Sequence, residues 1–180
     1  EMEVFSSTQQ ATGSQFMVAR ALGIPYNHVQ CHVKRIGGGF GGKESRACLI
    51  AAMSAVAAHN ARKPVRPILP RNVDMAWSGG RNPCYCKYKV GFNSSGRITA
   101  VDAQLYLNVG CSMDLSLGVL HKAMLHIDNA YTFANVRLVG RACKTNRASN
   151  TAFRGFGAPQ AMMMCEDFVD DVARFLKVPD

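Results

Sequence analysis

Five glycines fall within Gly37 to Gly42, interrupted only by Phe40, and nothing else in these 180 residues restricts the fold so strongly. Glycine supplies left-handed backbone and lets the main chain approach another group closely. A tight turn needs one or two, so this run reads as a loop that faces a ligand. Ahead of it, Val29 to Ile36 partly alternates and predicts a strand. Behind it, Glu44 to Asn60 is apolar on nearly every side and predicts a buried helix. Amides at the start of such a helix favour an anionic group.

Two familiar patterns fit this run formally, and both fail. Gly37, Gly39 and Gly42 satisfy the dinucleotide fingerprint, which needs an acidic residue roughly 20 positions on, at the end of the next strand. That strand, expected over Val65 to Leu69, ends in Pro70-Arg71. Gly37, Gly42 and Lys43 satisfy most of a phosphate loop, but the position that must ligate magnesium through a hydroxyl is Glu44.

The remaining chain mixes strands and helices without a strict repeat. Ser14 to Leu22 predicts a helix stopped by Gly23, and Arg71 to Pro83 reads as a loop. Tyr85 to Phe92 and Arg97 to Leu107 alternate around Asn93-Ser94-Ser95-Gly96, which predicts a hairpin. Val136 to Cys143 predicts a further strand. Thr151 to Pro159 is glycine-rich, and Gln160 to Leu176 is an amphipathic helix. The expected class is α+β.

The formal charge of +9 invites a nucleic-acid reading, but the 21 Lys and Arg are scattered singly or in pairs, so that reading is set aside. No run approaches the ~18 apolar residues of a membrane span, which points to a soluble protein. The seven cysteines include no Cys-x-x-Cys pair, so no zinc or iron-sulfur site is written here, and a reducing compartment is expected. Glu1 to Phe5 reads as interior strand, and Lys177 to Asp180 stop immediately after a helical pattern. Residues 1–180 are therefore expected to be a fragment of something longer.

The segment Gly37-Gly38-Gly39-Phe40-Gly41-Gly42-Lys43-Glu44 closely resembles a loop of the xanthine dehydrogenase/aldehyde oxidase family. Further matches follow in order: Ser7-Thr8-Gln9-Gln10, Gly79-Gly80-Arg81-Asn82-Pro83, and Lys144-Thr145-Asn146 with Ser149 to Gly157. The resemblance spans the whole chain and implies the first part of a molybdopterin-binding domain. The iron-sulfur, FAD and remaining molybdopterin regions would lie elsewhere. It implies a molybdenum hydroxylase that hydroxylates N-heterocycles such as hypoxanthine or xanthine with oxygen from water, in purine catabolism. Aldehyde oxidase-like or nicotinate-type hydroxylation, or a noncatalytic molybdopterin-binding module, are the alternatives.

Carried over by position, Gln9, Gly39, Phe40, Gly41 and Arg154 would hold the cofactor. Gln9, Phe40 and Arg154 would stand near the molybdenum oxygens without ligating the metal. Glu44 would bind the substrate's ring nitrogen, Phe156 would stack on it, and Lys122 stands where xanthine-oxidising members have arginine. No catalytic base is among these residues; a glutamate further along is expected. The whole enzyme would carry molybdopterin with molybdenum, two 2Fe-2S clusters and FAD, and pass electrons to NAD or oxygen. Its partners would be the rest of the same polypeptide or sister subunits, and it would work as a homodimer in the cytoplasm, with the peroxisome as alternative. Asn82, Ala158 and Ala161 depart from the family's usual His, Gly and Gly.

Overall fold

The computed structural model describes residues 1–178. The chain divides into two compact units, one made of Glu1–Gly80 with Thr151–Arg154, the other of Arg81–Asn150 with Gly155 onward. Each has its own core, and both contain helices and strands, as the α+β reading expects.

In the first unit, β1 (Met2–Phe5) runs parallel to β2 (Val29–His32), with α1 (Ala11–Leu22) and a short 3-10 turn, Tyr26–His28, between them. A parallel pair needs such a crossover, because its strands cannot be joined by a tight turn. Helix α1 starts three residues earlier than expected and ends on Gly23, whose left-handed φ of 66° lets its amide reach the Ala19 carbonyl. The long apolar helix is α2 (Arg46–Ala61). It lays Ala51 and Ala55 against Val4, Val18, Ala19 and Val29 to close a small core.

Two sequence expectations fail here, each for a local reason. Residues 65–69 form no strand: Pro64, Pro67 and Pro70 take away a backbone donor at every third position. Residues 71–77 are helical, as α3 (Arg71–Trp77), where a loop was expected. Arg71 pairs with Asp74 at 2.7 Å, and the Ser78 hydroxyl donates to the Asp74 carbonyl at 2.6 Å. The β2 strand also stops at His32 rather than Ile36, where its pairing with β1 runs out.

The second unit is a three-stranded sheet of β3 (Cys84–Phe92), β4 (Ile98–Gly110) and β5 (Val136–Lys144), with β3 antiparallel and β5 parallel to the central β4. The predicted hairpin is present. Asn93 Oδ1 accepts from the amides of Ser95 and Arg97 at 3.1 and 2.9 Å, and Gly96 takes φ 84°. One face of β4 buries Val101, Ala103, Leu105, Leu107 and Val109 in strict alternation. Against that face pack α4 (Ser116–Met124), which the sequence reading left without an element, and α5 (Ala158–Leu176). Phe168 of α5 is fully buried there. Gly157 is why α4 and α5 approach so closely: a Cβ there would collide with the Val119 carbonyl.

Candidate functional site

The glycine loop is folded around one side chain. Gln9 follows β1, and its Oε1 accepts from the Gly41 amide at 2.8 Å and from the Lys43 amide at 3.3 Å. The Gln9 amide donates in turn to the Lys43 carbonyl at 2.8 Å, which also accepts from the Thr8 hydroxyl at 3.1 Å. Both partners of the Gln9 side chain are N–H donors, so its oxygen is fixed inward and its NH2 is turned outward. A Cβ on Gly39 would run into this carboxamide.

Within the loop, Gly42 donates to the Gly39 carbonyl at 2.9 Å and Glu44 to the Gly41 carbonyl at 3.1 Å. Phe40, between these turns, takes a left-handed φ of 50°, unusual for a residue with a Cβ, and leaves its side chain 67% exposed. Its amide donates to no group among the described residues. Gly41, at φ 94°, lies so close to Ala152 that a Cβ would stand 2.7 Å from that carbonyl oxygen. The short stretch Thr151–Arg154 thereby joins this loop. Ser45 Oγ meets Thr151 Oγ1 at 3.3 Å, and the Arg154 guanidinium stands 5.8 Å from the centre of the Phe40 ring. The result is an exposed loop offering N–H donors beside a cation.

The family model for the molybdopterin cofactor-binding domain matches residues 1–180. This chain belongs to that family. The molybdopterin domain is 48% identical over 176 residues to a xanthine dehydrogenase of Dictyostelium discoideum, and 50% identical over 179 residues to aldehyde oxidase 3 of Mus musculus. Those matches cover 98% and 99% of this chain but only 13% of either relative. The aldehyde oxidoreductase of Desulfovibrio gigas superposes with a TM-score of 0.84 at 26% identity, over 98% of this chain and 19% of that one. The xanthine dehydrogenase/aldehyde oxidase resemblance is thus borne out at the level of the family.

Of the residues named from sequence, Gln9, Gly39, Phe40, Gly41 and Arg154 come together in the first unit of the molybdopterin domain. Their donor set suits an anionic group carrying oxygens: the free end of Gln9 and the amide of Phe40 both donate. The cofactor named by the family therefore fits this loop. Glu44 closes the same loop, half-buried, and its carboxylate has no partner among the described residues.

Phe156 and Lys122 belong to the second unit. Phe156 takes φ 50° between Gly155 and Gly157, and a Cβ on Gly118 of α4 would lie 3.1 Å from its ring. Lys122 is exposed one turn further along α4, on the same face of that helix as Gly118, and its carbonyl lies 2.9 Å from His126 Nδ1.

Sequence reasoning overlooked two supports of these residues. The Lys43 ammonium donates to the Ser7 hydroxyl at 2.9 Å and to the Ile36 carbonyl, strapping both ends of the glycine run. Asn82, noted only as a departure, is 1% exposed and donates to the Asn108 carbonyl at 2.9 Å and the Ser116 hydroxyl at 2.8 Å. It anchors the start of α4, the helix that carries Lys122. Apart from the Lys43–Ile36 bond, seven residues apart, these bonds span distant parts of the chain and leave no local sequence signal.

Proposed function

We propose that this chain is a fragment of the molybdopterin-binding domain of a molybdenum hydroxylase acting on N-heterocycles such as hypoxanthine and xanthine. One observation carries the reading. The Gln9 carboxamide, latched by the Gly41 and Lys43 amides, leaves its NH2 outward on the loop where the Phe40 amide is also open. Those two donors would hold the cofactor's anionic oxygens, with Gly39 and Gly41 allowing the close approach and Arg154 adding an amide and positive charge. When bound, the cofactor supplies the oxygen-transfer and two-electron chemistry.

The chain's own residues do the rest. Glu44 hydrogen-bonds a ring nitrogen and orients the heterocycle. Phe156 stacks on the planar ring, worth about 0.5–1.5 kcal/mol beyond the area it buries. Lys122 offers one flexible cation to a substrate oxygen, where an arginine would offer a two-donor fork, so hypoxanthine is favoured over xanthine. The general base, a glutamate in this reading, lies outside residues 1–180. The whole protein would add two 2Fe-2S clusters and FAD, use NAD or oxygen as acceptor, pair as a homodimer and work in the cytoplasm. All seven cysteines are free thiols, which supports the last point. Among the described residues no helix is long and apolar enough to cross a membrane.

Aldehyde oxidation is the second reading, favoured by the 50% identity to aldehyde oxidase 3. Glu44 separates the two. In the full-length enzyme, Glu44→Ala should lower kcat/KM for hypoxanthine at least ~10-fold, because a hydrogen bond to a charged group is worth about 1.5–3 kcal/mol. An aromatic aldehyde, with no ring nitrogen to bind, should lose much less. Steady-state kinetics on both substrates checks this, and equal losses would reduce Glu44 to a structural role.

A further inference from the structure

Strand β1 has one paired edge and one open edge. Its pairing with β2 runs from Met2 opposite Val29 to Phe5 opposite His32, and the Ser6 amide donates to the His32 carbonyl at 3.0 Å. Backbone polar groups alternate sides along a strand, so Val4 and Ser6 turn theirs toward β2, while Glu3 and Phe5 turn theirs away.

That outer edge borders a cleft of about 930 Å³. Every residue from Met2 to Ser7 lines it, and no residue of β2 does. Successive side chains of a strand point to opposite faces, so a cleft that touches six consecutive residues lies along the edge. The α2 side is mostly apolar, with Ile50, Ala51 and Ala55 beside Arg46 and Ser54, and Arg62, Lys63 and Arg66 also line the cleft. The acids that line it are Glu3 and Asp74, and Asp74 is already paired with Arg71. The cleft is thus an unpaired strand edge, a mostly apolar wall and a surplus of positive charge.

We infer that this cleft receives an extended segment of the same protein from outside residues 1–180, added to β1 as a third strand. Two-stranded sheets are marginal alone, and an open edge is a template for another strand. The chain spans 13% of its relatives' length, so most of such a polypeptide lies beyond these residues. The incoming strand carries apolar side chains toward Ile50 and Ala51 and carboxylates toward Arg62, Lys63 and Arg66. The inference rests on membership of a larger polypeptide and is independent of the substrate.

Two measurements on the full-length protein test it. Residue-resolved hydrogen exchange should find the Glu3 and Phe5 amides as slow as those of Val4 and Ser6. Zero-length carbodiimide coupling, read by mass spectrometry, should join Lys63 to an Asp or Glu outside residues 1–180 within the same copy. Mixing isotope-labelled and unlabelled protein identifies the copy. Exchange at Glu3 and Phe5 within seconds overturns the inference. So does a Lys63 coupling found only to Glu3 or Asp74, only to another copy, or not at all.

Discussion

Gln9 is the residue on which the glycine loop turns, because its two ends do different things. The oxygen is occupied by the Gly41 and Lys43 amides, and the nitrogen is left as a donor. Gln9→Glu separates these roles, since a carboxylate still accepts from both amides but cannot donate outward. The loop should therefore keep its shape while the full-length protein binds its cofactor about 10- to 100-fold more weakly, the usual cost of one charge-assisted bond. Molybdenum content after dialysis, set beside an unchanged Tm, checks this, and a fully loaded variant would remove Gln9 from the cradle. The glycine run by itself reads as a ligand-facing loop, without naming a ligand, and it does form an exposed loop. Gln9 entered only through resemblance, because the bond that orients it crosses 32 positions of chain. Glu44 was visible as an acid breaking a phosphate-loop pattern, but its lack of a partner was not.

At the level of elements, alternation was the dependable signal. The β3–β4 hairpin is where its pattern and its Asn-Ser-Ser-Gly turn put it, because one buried face imposes period two on every residue. Short or irregular elements were illegible for the same physical reason. Helix α3 has seven residues, too few to establish a period, and the apolar content of residues 65–69 hid what three prolines do to a ladder. Beyond its alternation, β3 is joined to α5 by a polar contact: the Tyr88 hydroxyl donates to the Asp171 carboxylate. That bond, with burial and the nearby charge, raises the phenol's pKa from 10.0 to about 12. A raised folded-state pKa means the bond contributes fully below pH about 10 and is lost as pH climbs toward 12. In an ultraviolet titration of the full-length protein, Asp171→Asn should move one late-ionising tyrosine to lower pH and leave Tyr131, raised by its own bond to Glu166, where it is. Coincident curves would break the link.

At the scale of the whole molecule, the family resemblance told more than any pattern within the chain, because its motifs are spread over both units. The division into two cores was not read from the sequence, because the second unit starts at Arg81 within the expected Arg71–Pro83 loop and the first recovers Thr151–Arg154 from far along the chain. A chain spanning 13% of its relatives should not turn over alone. Purified residues 1–180, supplied with cofactor, hypoxanthine and an artificial electron acceptor, should give no rate above background, and measurable turnover would overturn their assignment as an incomplete part. The first unit also has a history written into its connectivity. It borrows Thr151–Arg154 from beyond the strands of the second unit, and Ala152 lies directly beneath Gly41. On a ribosome adding roughly 5–20 residues per second, Gly80 therefore precedes that tetrapeptide by several seconds. A nascent chain released in that interval would carry every glycine of the loop and no floor for it to rest on, so the order of synthesis makes the last part of the cradle also its latest.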